Sequence, residues 1–342
     1  MTKPFPEIPV LFEDDDILVI NKPAGIVVNR SHTQKEGTVQ DWVEERQVSG
    51  NTRHPELVSG SDLGDLFRKQ NDNNTTTCLA GRQTQPLNPP SHSLDVASQP
   101  TNQLSNQSTK QPIIFGEPNE LFRERSGIVH RLDKDTSGVL LIAKNPATLV
   151  ALMAQFKLRQ TQKKYVALVH GKMQPESGEM NLPIGRNPQN RLQFRVREDG
   201  KESLTQYRVI AFYTHLDVEK VLASLQQRDK KALDFYKNDT HKLPKNFRKA
   251  VHSYQGFSLV ELSPKTGRTH QLRVHLSHVR HPIVGDKVYA GVKKRLIDGV
   301  WCSRIFLHAA SLKIVHPRTK SELIFTAPLS DDLKEVMGLL VE

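Results

Sequence analysis

From about Val48 to Pro118 the chain consists largely of Asn, Gln, Ser, Thr and Pro, as in Asn71-Asp72-Asn73-Asn74-Thr75-Thr76-Thr77 and Thr101–Gln111. Apolar periodicity almost vanishes there. A stretch of this composition cannot bury enough surface to offset the entropy of ordering it. It reads as a low-complexity, disordered insertion at 48–118. The piece before it then constrains the fold. Pro9–Arg46 is too small to fold alone, so its strands need partners beyond the insertion. Closing a long loop costs little more than closing a short one. Residues 9–330 are therefore expected to form one domain, not two domains joined by a linker.

Short apolar runs at Pro9–Phe12 and Ile17–Asn21 flank the acidic turn Glu13–Asp16 and read as strands, and Ile26–Val28 resumes extended structure. Further strands are expected at Ile128–Leu132, Val139–Ala143, Tyr165–Val169, Leu192–Val196, Tyr207–Phe212, Phe257–Leu262, Phe306–Val315 and Leu323–Phe325. Thr38 can cap a helix from Val39 to about Arg46. Asn145-Pro146 is a cap followed by a first-turn proline, and Leu149, Leu152, Met153 and Phe156 make the helical stripe behind it. Helical spacing returns at Leu216–Tyr236, His270–His278 and Asp331–Val341. The first of these, with the basic loop after it, reads as a second, partly helical insertion at 214–253. Strands interspersed with helices indicate an α+β fold.

The formal net charge is +11, which favours a polyanionic partner because neutralising phosphates releases counterions. The two cysteines, Cys78 and Cys302, make neither a disulfide framework nor a zinc site. Met1–Glu7 has no apolar run and no window reaches membrane-helix length, so a cytoplasmic protein is expected.

Three stretches can carry chemistry. In Gly127–Gly138 a polar turn stands between two apolar runs, a usual place for reactive groups. An Asp on a turn is often only a cap or a solvated charge. Here Arg131 precedes Asp133 by two, which on an extended backbone puts both side chains on one face. A guanidinium beside a carboxylate favours its charged form. In Lys265–Leu276 an apolar strand and a Gly turn aim Arg268, Arg273 and His275 at one place, although such a basic run is commonly a solvated helix face. His270, His275 and His278 have no carboxylate or cysteine ligand nearby, so no metal is expected. In Lys163–Gly171, Tyr165 is either strand packing or a platform on which a base stacks.

The run His130-Arg131-Leu132-Asp133, followed by Thr136-Ser137-Gly138, closely resembles the signature of the RluA-type RNA pseudouridine synthases. The Tyr165 and Gly267–His275 stretches are similar to later motifs of that family, in the same order. Glu13–Gly25, Gly285-Asp286 and Leu307-His308-Ala309 extend the likeness to about two-thirds of the chain. The resemblance implies a mixed, mainly antiparallel sheet with flanking helices and a central RNA-binding cleft. It implies that Asp133 is catalytic and that Arg131 fills the space of a flipped-out uridine. It also implies that Tyr165 stacks on the base and assists proton removal, and that Arg273 pairs with Asp133, with Arg268 the second candidate. His130, Arg131, Thr136, Arg268, His270 and His275 are expected to contact RNA. The expected reaction is isomerisation of specific uridines in ribosomal RNA, or next in transfer RNA, by a monomer without cofactor or metal. The catalytic pattern starts by Pro9, so no small S4-like N-terminal RNA-binding domain is expected. A competing reading makes Asp133 and Asp135 a phosphatase pair. It would need Mg²⁺ and a later acidic pair, for which only Asp331-Asp332 is available.

Overall fold

The computed structural model describes residues 5, 7–31, 34–48, 116–228 and 247–342. Cys78, almost all of the insertion expected at 48–118 and the middle of the one expected at 214–253 lie outside those residues.

The strands are β1 (Val10–Glu13), β2 (Ile17–Lys22), β3 (Ser137–Ala143), β4 (Gln162–His170), β5 (Ser177–Asn181), β6 (Ile184–Arg186), β7 (Phe194–Val196), β8 (Leu204–Tyr213), β9 (His215–Leu216), β10 (Phe257–Pro264), β11 (Leu307–Val315), β12 (Glu322–Thr326) and β13 (Leu340–Val341). The helices are α1 (Val39–Val48), α2 (Pro118–Arg125), α3 (Pro146–Lys157), α4 (Val218–Arg228), α5 (Phe247–His252), α6 (Gln271–His278), α7 (Val292–Trp301) and α8 (Asp331–Gly338). A nine-stranded sheet runs β1-β2-β3-β11-β4-β10-β8-β5, with β12 also on β11. Among the described residues its one parallel pair is β3–β11, so the sheet is mixed and mainly antiparallel, as expected. Among the described residues no helix is long and apolar enough to cross a membrane.

The first strands do find a partner far along the chain. β2 pairs antiparallel with β3, from Ile17 opposite Ala143 to Lys22 opposite Gly138. Alternation along β2 divides its side chains between two cores. Leu18 and Ile20 pack with Leu140, Ile142 and, from α1, Val39 and Val43. Ile17 and Val19 pack with Leu141, Ala143 and, from α3, Leu149 and Leu152. Helices on both faces explain why β2 reads as a continuous apolar run. A larger core under β4, β8 and β10 takes in α4 to α8. Local signals hold the helix starts. Thr38 and Asp41 bond reciprocally, Thr38 N to Asp41 Oδ2 at 2.8 Å and Asp41 N to Thr38 Oγ1 at 3.3 Å. Asn145 Oδ1 accepts from Thr148 N at 2.9 Å.

Two expected strands are absent. Ile128–Leu132 makes only an isolated bridge, Ile128 to Ile142. Beside β3 one ladder bond is replaced by a side chain, because Leu141 N donates to His130 Nε2 at 3.1 Å. Ile26–Val28 is also not a strand. The Val27 and Val28 carbonyls instead accept from Val39 N and Gln40 N at the start of α1. At the far end, the expected last helix stops at Gly338, and Leu340–Val341 pair with β9.

Gly138 explains why the signature ends as it does. Its φ is +116°, and a Cβ there would lie 2.2 Å from the Ala309 carbonyl oxygen. Only glycine lets β3 approach β11 at that point.

Candidate active site

A cleft of about 540 Å³ opens between the turn 130–136, the strand residue Tyr165, the end of α3 and the segment 264–273 that leads into α6. Among the described residues, Arg131, Lys157, Arg159, Lys163, Lys265, Arg268 and Arg273 line it, against one acidic side chain, Asp133. Such a lining concentrates positive potential on whatever enters, as a nucleic-acid site requires.

Asp133 is a quarter exposed and accepts from Arg273 Nη1 at 3.1 Å. Arg273 is itself held from behind. Its Nε and Nη2 both donate to Asp286 at 2.9 Å, a bidentate pair. Asp286 is fully buried and also accepts from the Val288 and Tyr289 backbone amides at 2.8 and 3.0 Å. The Tyr289 ring lies 5.1 Å from the guanidinium carbon. Burial opposes the charge on Arg273, but the Asp286 bonds and the Asp286 and Asp133 charges outweigh it and hold its pKa above the usual value. The rigid fork thus spends two nitrogens on a buried anchor and offers the third to Asp133.

His270 starts α6 with φ +56°, and its Nε2 stands 3.9 Å from Asp133 Oδ2. Its Nδ1 is 2.9 Å from the Tyr289 hydroxyl, which already accepts from Phe194 N at 3.0 Å. With Tyr289 donating, the ring proton sits on Nε2 and faces the carboxylate. Burial lowers the His270 pKa, with Asp133 opposing.

The backbone of the turn is also fixed. Asp133 O accepts from Thr136 N at 3.1 Å, and Lys134 O accepts from Gly25 N at 2.9 Å. Lys134 O also accepts from Lys22 Nζ at 3.1 Å. The remaining Lys22 donors go to Pro23 O at 2.8 Å and Ile26 O at 2.9 Å. Burial pushes the Lys22 pKa down to about 7, while Asp135 and Asp133 pull it upward. Three carbonyls match the three donors of the ammonium form.

Tyr165 sits on β4 between Leu262 of β10 and Ala309 of β11. Burial, then the Asp133 charge, raises its pKa well above the usual phenol value. The ring therefore carries a neutral hydroxyl, which has no hydrogen-bond partner among the described residues. Thr136 is buried beside the cleft, and its Oγ1 likewise finds no partner among those residues. Arg131 is exposed on the cleft wall and has no side-chain partner among them.

Of the nine residues expected from the sequence, eight line this cleft: Asp133, Tyr165, Arg273, His130, Arg131, Thr136, Arg268 and His270. Their parts differ. His130 is a strut as well as a wall: it bonds Leu141 N and stacks on Phe156 at 4.8 Å. Burial, then Lys163, pushes its pKa down to about 3, so it is neutral. Arg268 does not reach Asp133, and its Nε donates to Glu202 O at 3.1 Å. The expected RNA contact by His275 fails. That ring is fully buried between Thr205 Oγ1 at 3.0 Å and Leu182 O at 2.9 Å. Its position on the inner face of α6 turns it into the core, which a basic run read linearly does not reveal. Sequence reasoning gave no role to Lys22, Asp286 or Tyr289. Each was within a quoted motif or beside one, but none announces itself without its distant partner.

The histidines 270, 275 and 278 do not converge. Among the described residues the one cluster with metal-ligand spacing is Asp14, Asp16 and His316, and Arg318 Nε already lies 2.6 Å from Asp16. Asp332, which the phosphatase reading needs, pairs with Arg304 and does not line the cleft.

A family model for RNA pseudouridylate synthase matches residues 90–278, more than half of the chain. A protein of Chloroflexus aurantiacus named as an uncharacterized RNA pseudouridine synthase is 39% identical over 216 residues, 63% of this chain and 54% of that protein. Ribosomal large subunit pseudouridine synthase D of Xanthomonas campestris is 32% identical over 238 residues, 67% of this chain and 59% of that protein. The chain thus spans little more than half the length of these relatives. The solved structure of human RNA Pseudouridylate Synthase Domain Containing 1 shares the fold, with a TM-score of 0.52, 21% identity and coverage of 98% of this chain and 90% of that one.

Proposed function

Because this chain belongs to the RNA pseudouridylate synthase family, we propose that it isomerises specific uridines in RNA to pseudouridine, with Asp133 as the catalytic carboxylate. The observation that carries this reading is the Asp133–Arg273 contact of 3.1 Å inside a cleft whose other charged lining residues, among those described, are lysines and arginines.

The reaction breaks the N1–C1′ bond, turns the detached uracil, and forms C5–C1′. The C5 proton is lost and N1 gains one from solvent, so nothing is oxidised and no group leaves. The target base must first swing out of its stack, at a cost of a few kcal/mol. Contacts from the basic rim to phosphates offset that cost, and the exposed Arg131 is suited to fill the gap left behind. Asp133 then either attacks C1′ or removes a sugar proton. Arg273 keeps the carboxylate oriented and balances its charge. Tyr165 supplies a flat face for the base and a neutral hydroxyl as donor. A phenol held this far from ionisation is a poor proton acceptor. Asp133, released once C5–C1′ forms, is the better acceptor for the C5 proton, being the one carboxylate among the described residues of the cleft lining. His270 Nε2, 3.9 Å from Asp133, is a further polar atom at the place the nucleotide would occupy.

Ribosomal RNA is the first expected substrate and transfer RNA the second, acted on in the cytoplasm by a monomer. The catalytic unit is residues 9–330, with 48–118 and 214–253 as insertions within it. Carbodiimide mapping of pseudouridines in total RNA from cells with and without the protein tests this. One or a few positions should lose their signal in its absence; identical maps would overturn the proposal.

A further inference from the structure

We propose that Arg304 is a positioning residue for Asp133: it ties the turn that carries this carboxylate to the start of α8. The inference rests on the proposed function but concerns a residue outside the cleft. Arg304 is 9% exposed and is not among the lining residues.

Each of its nitrogens is engaged. On the turn side, Nη1 donates to Asp135 O at 3.1 Å and Nη2 to Ser137 Oγ at 3.2 Å. On the anchor side, Nε donates to Asp332 Oδ2 at 2.5 Å and Nη2 to Asp332 Oδ1 at 3.0 Å and Ser330 Oγ at 2.7 Å. Nη1 also meets Ile305 O at 3.2 Å. Asp133, Lys134 and Asp135 therefore each have a satisfied carbonyl, and two successive ones are held by buried cations, Lys22 and Arg304. The backbone that carries Asp133 therefore cannot shift at Lys134 or Asp135 without breaking a charge-assisted bond.

Ser137 extends the brace with a fixed direction. His308 Nε2 lies 3.1 Å from Ala327 O, an acceptor, so Nε2 carries the proton. Nδ1, 2.9 Å from Ser137 Oγ, then accepts the serine hydroxyl. The free lone pairs of that hydroxyl point to Arg304. Burial holds the His308 pKa down to about 4, so the chain keeps this direction through neutral pH.

Substitution tests the role without emptying the site. In Arg304→Lys a single ammonium cannot hold both sides. It should stay with the Asp332 carboxylate, leaving Asp135 O and Ser137 unsupported. In Ser137→Ala the turn-side hydroxyl alone is lost. The experiment measures release of tritium from total RNA labelled with 5-tritiated uridine, taken from cells lacking the protein. It compares wild type and both variants, each corrected for its folded fraction from a thermal melt. Both variants should lose at least tenfold in maximal rate while KM for RNA stays within about twofold, since the cleft rim is untouched. A maximal rate within threefold of wild type in either folded variant, or a loss confined to KM, would overturn the proposal. If Arg304→Lys does not fold, Ser137→Ala decides by the same criterion. Wild type that releases no tritium would instead overturn the proposed function, and this inference with it.

Discussion

Arg273→Lys separates the shape of a cation from its charge. The fork makes two bonds of 2.9 Å to Asp286 and one of 3.1 Å to Asp133. Lysine keeps the charge but has one nitrogen, which cannot serve both carboxylates. Burial decides where it goes. Asp286 is 0% exposed, while the Asp133 side chain is 25% exposed and can take up water. Leaving a buried charge unpaired costs about 3–5 kcal/mol, so the ammonium should follow Asp286. Asp133 then loses one charge-assisted hydrogen bond, about 1.5–3 kcal/mol. If that bond is needed in the transition state, turnover falls by about 10- to 150-fold, at roughly 1.4 kcal/mol per factor of ten. Single-turnover tritium release from 5-tritiated uridine RNA reads the rate, and filter binding should give an unchanged Kd. A rate within threefold of wild type, on protein that melts as one cooperative unit, would refute the reasoning.

Lys22→Met tests the buried cation under the turn. The pKa of Lys22 falls from 10.5 unfolded to about 7 folded, so between those values the unfolded chain binds the extra proton. Stability should then rise as pH climbs above about 7, by at most about 1.4 kcal/mol per unit. Urea midpoints at pH 6.5 and 8.5 should show this slope in wild type and not in the variant; equal slopes would contradict it. Gly138→Ala should yield no folded protein, because φ is +116° and the new Cβ would sit 2.2 Å from Ala309 O. A wild-type melt for that variant would show the clash to be relieved. Tyr165→Phe should keep its stacking face and bind RNA as wild type does, whereas Tyr165→Leu should lose about 1–3 kcal/mol of binding; equal affinities would remove the ring from the site.

The parts legible in the sequence were those set by local chemistry. Asn145-Pro146 announced α3, and Thr38 announced α1. The need of Pro9–Arg46 for partners is met where β2 pairs with β3, far along the chain. The resemblance carried the cleft: a short motif fixed Asp133, and its later companions brought Tyr165 and Arg273 to it. What failed was whatever depends on a distant neighbour. Ile128–Leu132 is apolar enough for a strand, but the His130 side chain takes over one of the ladder bonds along β3. His275 looks like one more cation in a basic run, yet the inner face of α6 is core. Lys22 reads as an ordinary turn lysine until three carbonyls, one of them 112 residues away, surround its ammonium. Asp286 shows its purpose only once Arg273 lies across it.

Asp133→Asn is the most direct test of the central claim. The change keeps the size of the side chain and leaves the Arg273–Asp286 pair intact, so fold and RNA affinity should match wild type. Release of tritium from 5-tritiated uridine RNA should fall below detection in single-turnover conditions. An asparagine variant that converts uridine at a rate near wild type would contradict the assignment of the chemistry to this carboxylate.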